Sequence, residues 1–152
     1  MTRRSLTPGE IDLARGVFGD AIDYARVGLH RAKWAFFQPR GVVMAPDGDI
    51  WFHPSSDRWS DDFAAERVDF QGLLIHELTH VWQAQIGGRW FLPLMRHPFC
   101  RYDYALVPGQ PFRRYGLEQQ AELVRHAYLQ RLGLCPPRAA QLNEIEGILP
   151  FS

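Results

Sequence analysis

His76 and His80 stand four residues apart, with Glu77 beside the first, in the run His76-Glu77-Leu78-Thr79-His80. On an α-helix, residues four apart lie one above the other on the same face, so both imidazoles can reach a single ion. Neutral imidazole nitrogens bind Zn²⁺ at about 2.0–2.1 Å, and a third protein ligand would leave the fourth position to water, as in catalytic rather than structural zinc. Glu77 lies about a quarter turn around the helix from His76, beside such a water rather than on the ion. The expectation is zinc-dependent hydrolysis of a peptide bond, with Glu77 as general base and then acid.

The third ligand is not local. A metzincin pattern requires glycine and histidine at positions 83 and 86, where this chain has Gln83 and Ile86. Farther on, Glu118-Gln119-Gln120-Ala121-Glu122 puts two carboxylates four apart on one helical face, and His126 continues that face. The two segments together resemble the gluzincin group of metallopeptidases, which includes thermolysin. That resemblance implies Glu118 as third zinc ligand and Glu122 as the carboxylate that accepts an N–H from His76 or His80. The group more usually has aspartate at the latter position. The oxyanion of such a reaction needs a donor, for which His97, Tyr102, Tyr104, Tyr115 and His126 are candidates that the sequence does not separate.

A wider resemblance runs through Thr7-Pro8-Gly9-Glu10, Ile50-Trp51-Phe52-His53-Pro54, His76 to Gln83 and Tyr115 to Glu122. In this order the segments are similar to small bacterial proteins labelled Vgr-related, after spike components of contractile secretion systems. This resemblance implies a bacterial secretion-system context and assigns no residue a role. It also sustains a competing expectation: a zinc-bound binding or assembly module, associated with such a system, that performs no turnover.

The elements that must position these residues follow from local patterns. Thr7 caps a helix with Pro8 at its first position and Glu10 at its third, ending near Gly19. Alternation over 25–33 predicts a half-buried strand, and 42–44 and 49–53 predict two more around the turn Pro46-Asp47-Gly48. The strand over 49–53 is expected to offer a peptide substrate an edge near the metal. Trp51 and Phe52 are expected to pack on a sheet face, and His53 to end the strand. Asp61 or Asp62 can cap a helical turn. A three-or-four-residue period predicts the motif helix over 68–86, stopped by Gly87-Gly88. Residues 89–112 have no period and predict a long loop. Helices are expected over 115–132 and, more briefly, 137–145. The expected fold is α+β and zincin-like, with a small antiparallel sheet packed on an active-site helix and a second ligand-bearing helix.

At 152 residues the chain has the length of one ordinary domain, so 1–152 is expected to fold around one core. Seventeen basic and seventeen acidic residues cancel to a net charge of +0, which gives no global attraction to nucleic acid or an acidic membrane, although local patches remain possible. No run is long and apolar enough for a membrane span, and Arg3-Arg4 is not followed by the apolar stretch of a secretory signal. Cys100 and Cys135 are read as separate reduced thiols. The expected location is therefore cytoplasmic, with delivery by a secretion system as the route outward. The expected partner is a peptide or protein substrate.

Overall fold

The computed structural model describes residues 3–88 and 101–151. Among the described residues the fold is α+β: a four-stranded sheet and four α-helices. The strands are β1 (Arg3–Ser5), β2 (Gly28–His30), β3 (Val43–Met44) and β4 (Ile50–Phe52). The helices are α1 (Pro8–Phe18), α2 (Val68–Gly87), α3 (Leu117–Arg131) and α4 (Leu142–Glu146).

The first helix follows its sequence signals closely. Thr7 accepts a hydrogen bond from the Glu10 backbone N–H, the Glu10 side chain returns to the cap backbone, and Gly19 closes the helix at φ 57°. Glu10 also ties segments together. Its fully buried carboxylate accepts from both terminal nitrogens of Arg4 at 2.9 Å and from the backbone N–H of Thr7 and Phe63 at 2.8 Å. It thereby joins β1, α1 and the short 3₁₀ turn Phe63–Ala65, which Asp62 caps just before α2. Burying a carboxylate is costly unless its lone pairs are matched, and here they are.

The sheet is mixed rather than antiparallel, with strand order β1-β2-β4-β3. β1 pairs antiparallel with β2 and β3 with β4, but β2 and β4 run parallel. Asp49 supplies a physical reason for that central pairing. Its carboxylate accepts the Gly28 N–H at 2.8 Å and contacts His30 Nε2 at 2.7 Å, while the His30 ring stacks on Trp51 with centroids 3.6 Å apart. Consequently β4 is interior, and the strand predicted over 49–53 is not an edge; among the described residues the edges are β1 and β3. The strand predicted over 25–33 shrinks to three residues because Tyr24–Arg26 form a 3₁₀ turn.

Phe52 meets Trp59 and Phe63, and the core continues through Leu29, Ile50, Leu74, Ile75, Leu78 and Leu123. His53 ends its strand, with Nδ1 accepting the Ser55 N–H at 3.0 Å. Every residue of α2 from Leu74 to Ala84 is buried, so this part of the helix is covered on all sides, and Gly72 lies against Leu129 and Arg125 of α3, so the two helices that carry the motif residues pack directly together. The closing helix is shorter than predicted, starting only at Leu142, because Pro136 and Pro137 open a turn that leaves Arg138 at φ 62°. The described part of the predicted loop over 89–112 lacks strand and α-helix, and a 3₁₀ turn begins at Phe112. Cys135 is an exposed free thiol, whereas Cys100 lies outside the described residues. Among the described residues, no helix is long and apolar enough to cross a membrane.

Candidate metal centre

His76 and His80 project from one face of α2 onto Glu118, in the first turn of α3. Nε2 of His76 lies 3.1 Å from Glu118 Oε1, and Nε2 of His80 lies 2.8 Å from the same oxygen. All three residues are buried, and one donor atom from each falls within 4.8 Å of the others. Two ligands about 2.0–2.1 Å from a shared ion at tetrahedral angles are separated by about 3.3 Å, so the spacing suits one small cation.

The outer nitrogens explain why the inner ones converge. His76 Nδ1 faces Glu122 Oε2 at 2.9 Å, and His80 Nδ1 faces Gln83 Oε1 at 2.8 Å. The Gln83 amide is itself oriented, since its Nε2 donates to the Leu117 carbonyl at 3.1 Å and to Gln120 Oε1 at 3.0 Å. Each imidazole can therefore donate outward from Nδ1, which makes Nε2 the nitrogen that a metal ion would use once its proton is displaced. Two lone pairs and a carboxylate facing one another require a positive charge between them, either protons or a metal ion. The donor set thus fits a divalent cation.

Electrostatics carry the same signature. Burial alone would lower the pKa of His76, but hydrogen bonds to Glu118 and Glu122 and the charge of Glu77 outweigh it and raise the value well above the ordinary imidazole range. Burial would raise Glu118, yet its contacts with His76 and His80 hold it below the ordinary carboxylate range. Glu122 is likewise lowered against the effect of burial, by His76 and by Arg125, whose Nε donates at 2.7 Å. A metal entering this set must displace protons, so its affinity rises with pH.

Glu77 is buried and borders a cavity of about 450 Å³ together with His76, Tyr102 and Glu122. Phe70 and Leu73 of α2 form an apolar side of this cavity, and Val42 and Val43, at the edge strand β3, form another. Among the oxyanion candidates, Tyr102 borders this cavity and stacks on His76 with centroids 5.9 Å apart. Tyr104 and His126 turn to each other at 2.6 Å, and burial keeps His126 below its ordinary pKa. The Tyr115 hydroxyl accepts the Val107 N–H at 2.9 Å. His97 lies outside the described residues.

Sequence reasoning used Gln83 only to exclude a metzincin and did not see it as the orienting partner of His80. Its signal was present, three residues after His80 and hence on the same helical face. Arg125, three residues after Glu122, was missed for the same reason.

Glu122→Ala is expected to weaken metal affinity about 10–100-fold by freeing the His76 ring and its tautomer. Competition with a chromophoric chelator measures it, and unchanged affinity would remove Glu122 from the site.

No protein-family model matches the chain. It is 41% identical over 134 residues to the type VI secretion system spike protein VgrG2b of Pseudomonas aeruginosa, a match that covers 84% of this chain and 13% of that protein. The chain therefore spans only a small part of the spike protein's length. The solved effector domain of Pseudomonas aeruginosa VgrG2b superposes with a TM-score of 0.79 at 37% identity, covering 95% of this chain and 83% of that one. The Vgr-related resemblance thus extends over nearly the whole chain and nearly the whole of the solved domain. With sequence and fold agreeing over that length, the chain belongs to the family of the VgrG2b effector domain.

Proposed function

We propose that this effector domain is a zinc-dependent metallopeptidase of zincin-like, gluzincin type, holding zinc through His76, His80 and Glu118. The observation that carries the reading is the convergence of two imidazole Nε2 atoms on one buried carboxylate oxygen, with Glu77 next to them on the wall of a cavity. Imidazole and carboxylate ligands accept several divalent ions, and two nitrogens with one oxygen match the ligand set of zinc peptidases. When bound, zinc supplies Lewis acidity to a carbonyl and acidifies water to a pKa near 7.

The chain's own residues do the rest. Glu77 takes a proton from the attacking water as the new C–O bond forms at the peptide carbonyl. It then returns that proton to the amide nitrogen as the C–N bond breaks, releasing an acid and an amine. Glu122 and Gln83 keep the two imidazoles aimed. The edge of β3 that no described strand pairs accepts an extended peptide by backbone hydrogen bonds, so the substrate strand runs beside Val42 and Val43 rather than beside β4. Tyr102 is the described hydroxyl side chain bordering this cavity that we assign to the oxyanion.

Membership in the effector-domain family also supports a second reading, in which the domain is a metal-bound module of a secretion-system spike without turnover. One experiment separates the two. Zinc-loaded protein is expected to cleave an unfolded protein substrate, to lose that activity on chelation and to regain it with added zinc. Loaded protein that cleaves nothing across a broad peptide library, yet retains a specific binding partner, would establish the second reading.

A further inference from the structure

Residues 31–42 connect β2 to β3 and carry a feature that the metal site does not use. Gln38 is buried at 3% exposure and braces this loop from within. Its Oε1 accepts the Trp34 N–H at 2.8 Å, and its Nε2 donates to the carbonyls of Val42 at 2.9 Å and Trp51 at 3.0 Å. The Gln38 backbone N–H closes a tight turn on the Ala35 carbonyl at 3.0 Å. At the tip of that turn stand Phe36, 88% exposed, and Phe37, 62% exposed, packed edge to face with centroids 5.4 Å apart. A buried and fully bonded amide thus holds two phenyl rings out in water, an arrangement that contributes nothing to the core.

The charge around the tip is one-sided. Arg31, Lys33 and Arg40 are exposed, and residues 31–46 contain no aspartate or glutamate. Among the described residues, none of the three cations forms an ion pair. Lys33 and Arg40 donate instead to the carbonyls of Phe36 and Ser55, and the Arg31 guanidinium lies over Trp59. In a chain with net charge +0 this is a local positive excess centred on an aromatic tip.

We infer that the loop docks on an anionic lipid bilayer, with Phe36 and Phe37 entering the boundary between headgroups and acyl chains and the three cations resting among the headgroups. Exposed apolar rings flanked by unpaired cations match the two forces that hold a peripheral protein to such a surface, apolar burial and attraction to acidic lipid. A second copy of the chain is a poor occupant, because pairing the tip with itself would bring like charges together. The attachment is peripheral, and it stands or falls independently of the metal site.

Flotation of the intact protein with vesicles tests it. Binding to vesicles of equal parts phosphatidylglycerol and phosphatidylcholine is expected to exceed binding to phosphatidylcholine alone by about tenfold or more, and to weaken as salt is added. Phe36→Ser with Phe37→Ser should weaken binding about tenfold, while Phe36→Trp with Phe37→Trp should retain it. Replacing Arg31, Lys33 and Arg40 together by serine should weaken it about a hundredfold and abolish the salt dependence. Unchanged melting temperatures certify the fold of each variant. Equal binding to neutral and acidic vesicles, or undiminished binding by the double serine variant, overturns the inference. So does absence of vesicle binding when the same two rings are required to retain a protein partner.

Discussion

Glu77→Gln is expected to lower kcat/KM on a peptide substrate by about 10²–10⁴ while the protein still carries one zinc per chain. The substitution is nearly isosteric and touches none of the three donor atoms, so the site remains loaded. The amide cannot accept the proton that the carboxylate takes, and the loss falls on the step in which that proton moves. A decrease in kcat with KM little changed identifies an interaction made in the transition state rather than in substrate binding. Glu77 also contributes to the raised pKa of His76. In the metal-free variant, therefore, that imidazole should titrate at lower pH than in the parent protein, a shift that NMR reads without any turnover. Steady-state kinetics with metal analysis of the same preparation decides the matter, and undiminished hydrolysis by the zinc-loaded variant would end the assignment.

Glu118→Ala is expected to produce the opposite dissociation of effects, abolishing activity because the metal itself is lost. The carboxylate is the meeting point of both inner nitrogens, and without it His76 and His80 offer only two ligands. Removing a ligand should cost more than the roughly 10–100-fold expected for a residue behind one, so zinc affinity should fall beyond that range. His80→Ala serves as a parallel control and should fail in the same way. Chelator competition and metal analysis measure both. Stoichiometric zinc held by Glu118→Ala with parental affinity would place the ion elsewhere and remove the basis of the enzymatic reading.

The parts legible in the sequence were those encoded within a few residues. The cap at Thr7, the helix stop at Gly19 and the period of α2 are local, and so is the His76 to His80 spacing, which puts two imidazoles on one face without any knowledge of the fold. Glu118 was reached by resemblance, because nothing in the spacing of residues 38 positions apart states that they meet. The sheet was misread for a physical reason: strands of two or three residues carry no directional information. The parallel β2–β4 pairing depends on Asp49 reaching back to Gly28 and His30 across an intervening loop. From this came the misplaced edge, which lies at β3 rather than β4. Gln83 and Gln120 were hidden because a buried amide resembles any surface glutamine until its partners are known.

The distribution of the three donors over two helices has a mechanical consequence. An ion gripping His80 and Glu118 fastens a covalently continuous ring of about 38 residues, the separation of those two positions. By the loop-entropy relation for cross-links, a tie of that span removes about 4 kcal/mol of freedom from the unfolded chain. A bound ion would therefore act as a reversible staple, tightening the chain where such an ion is plentiful and releasing it where the ion is scarce.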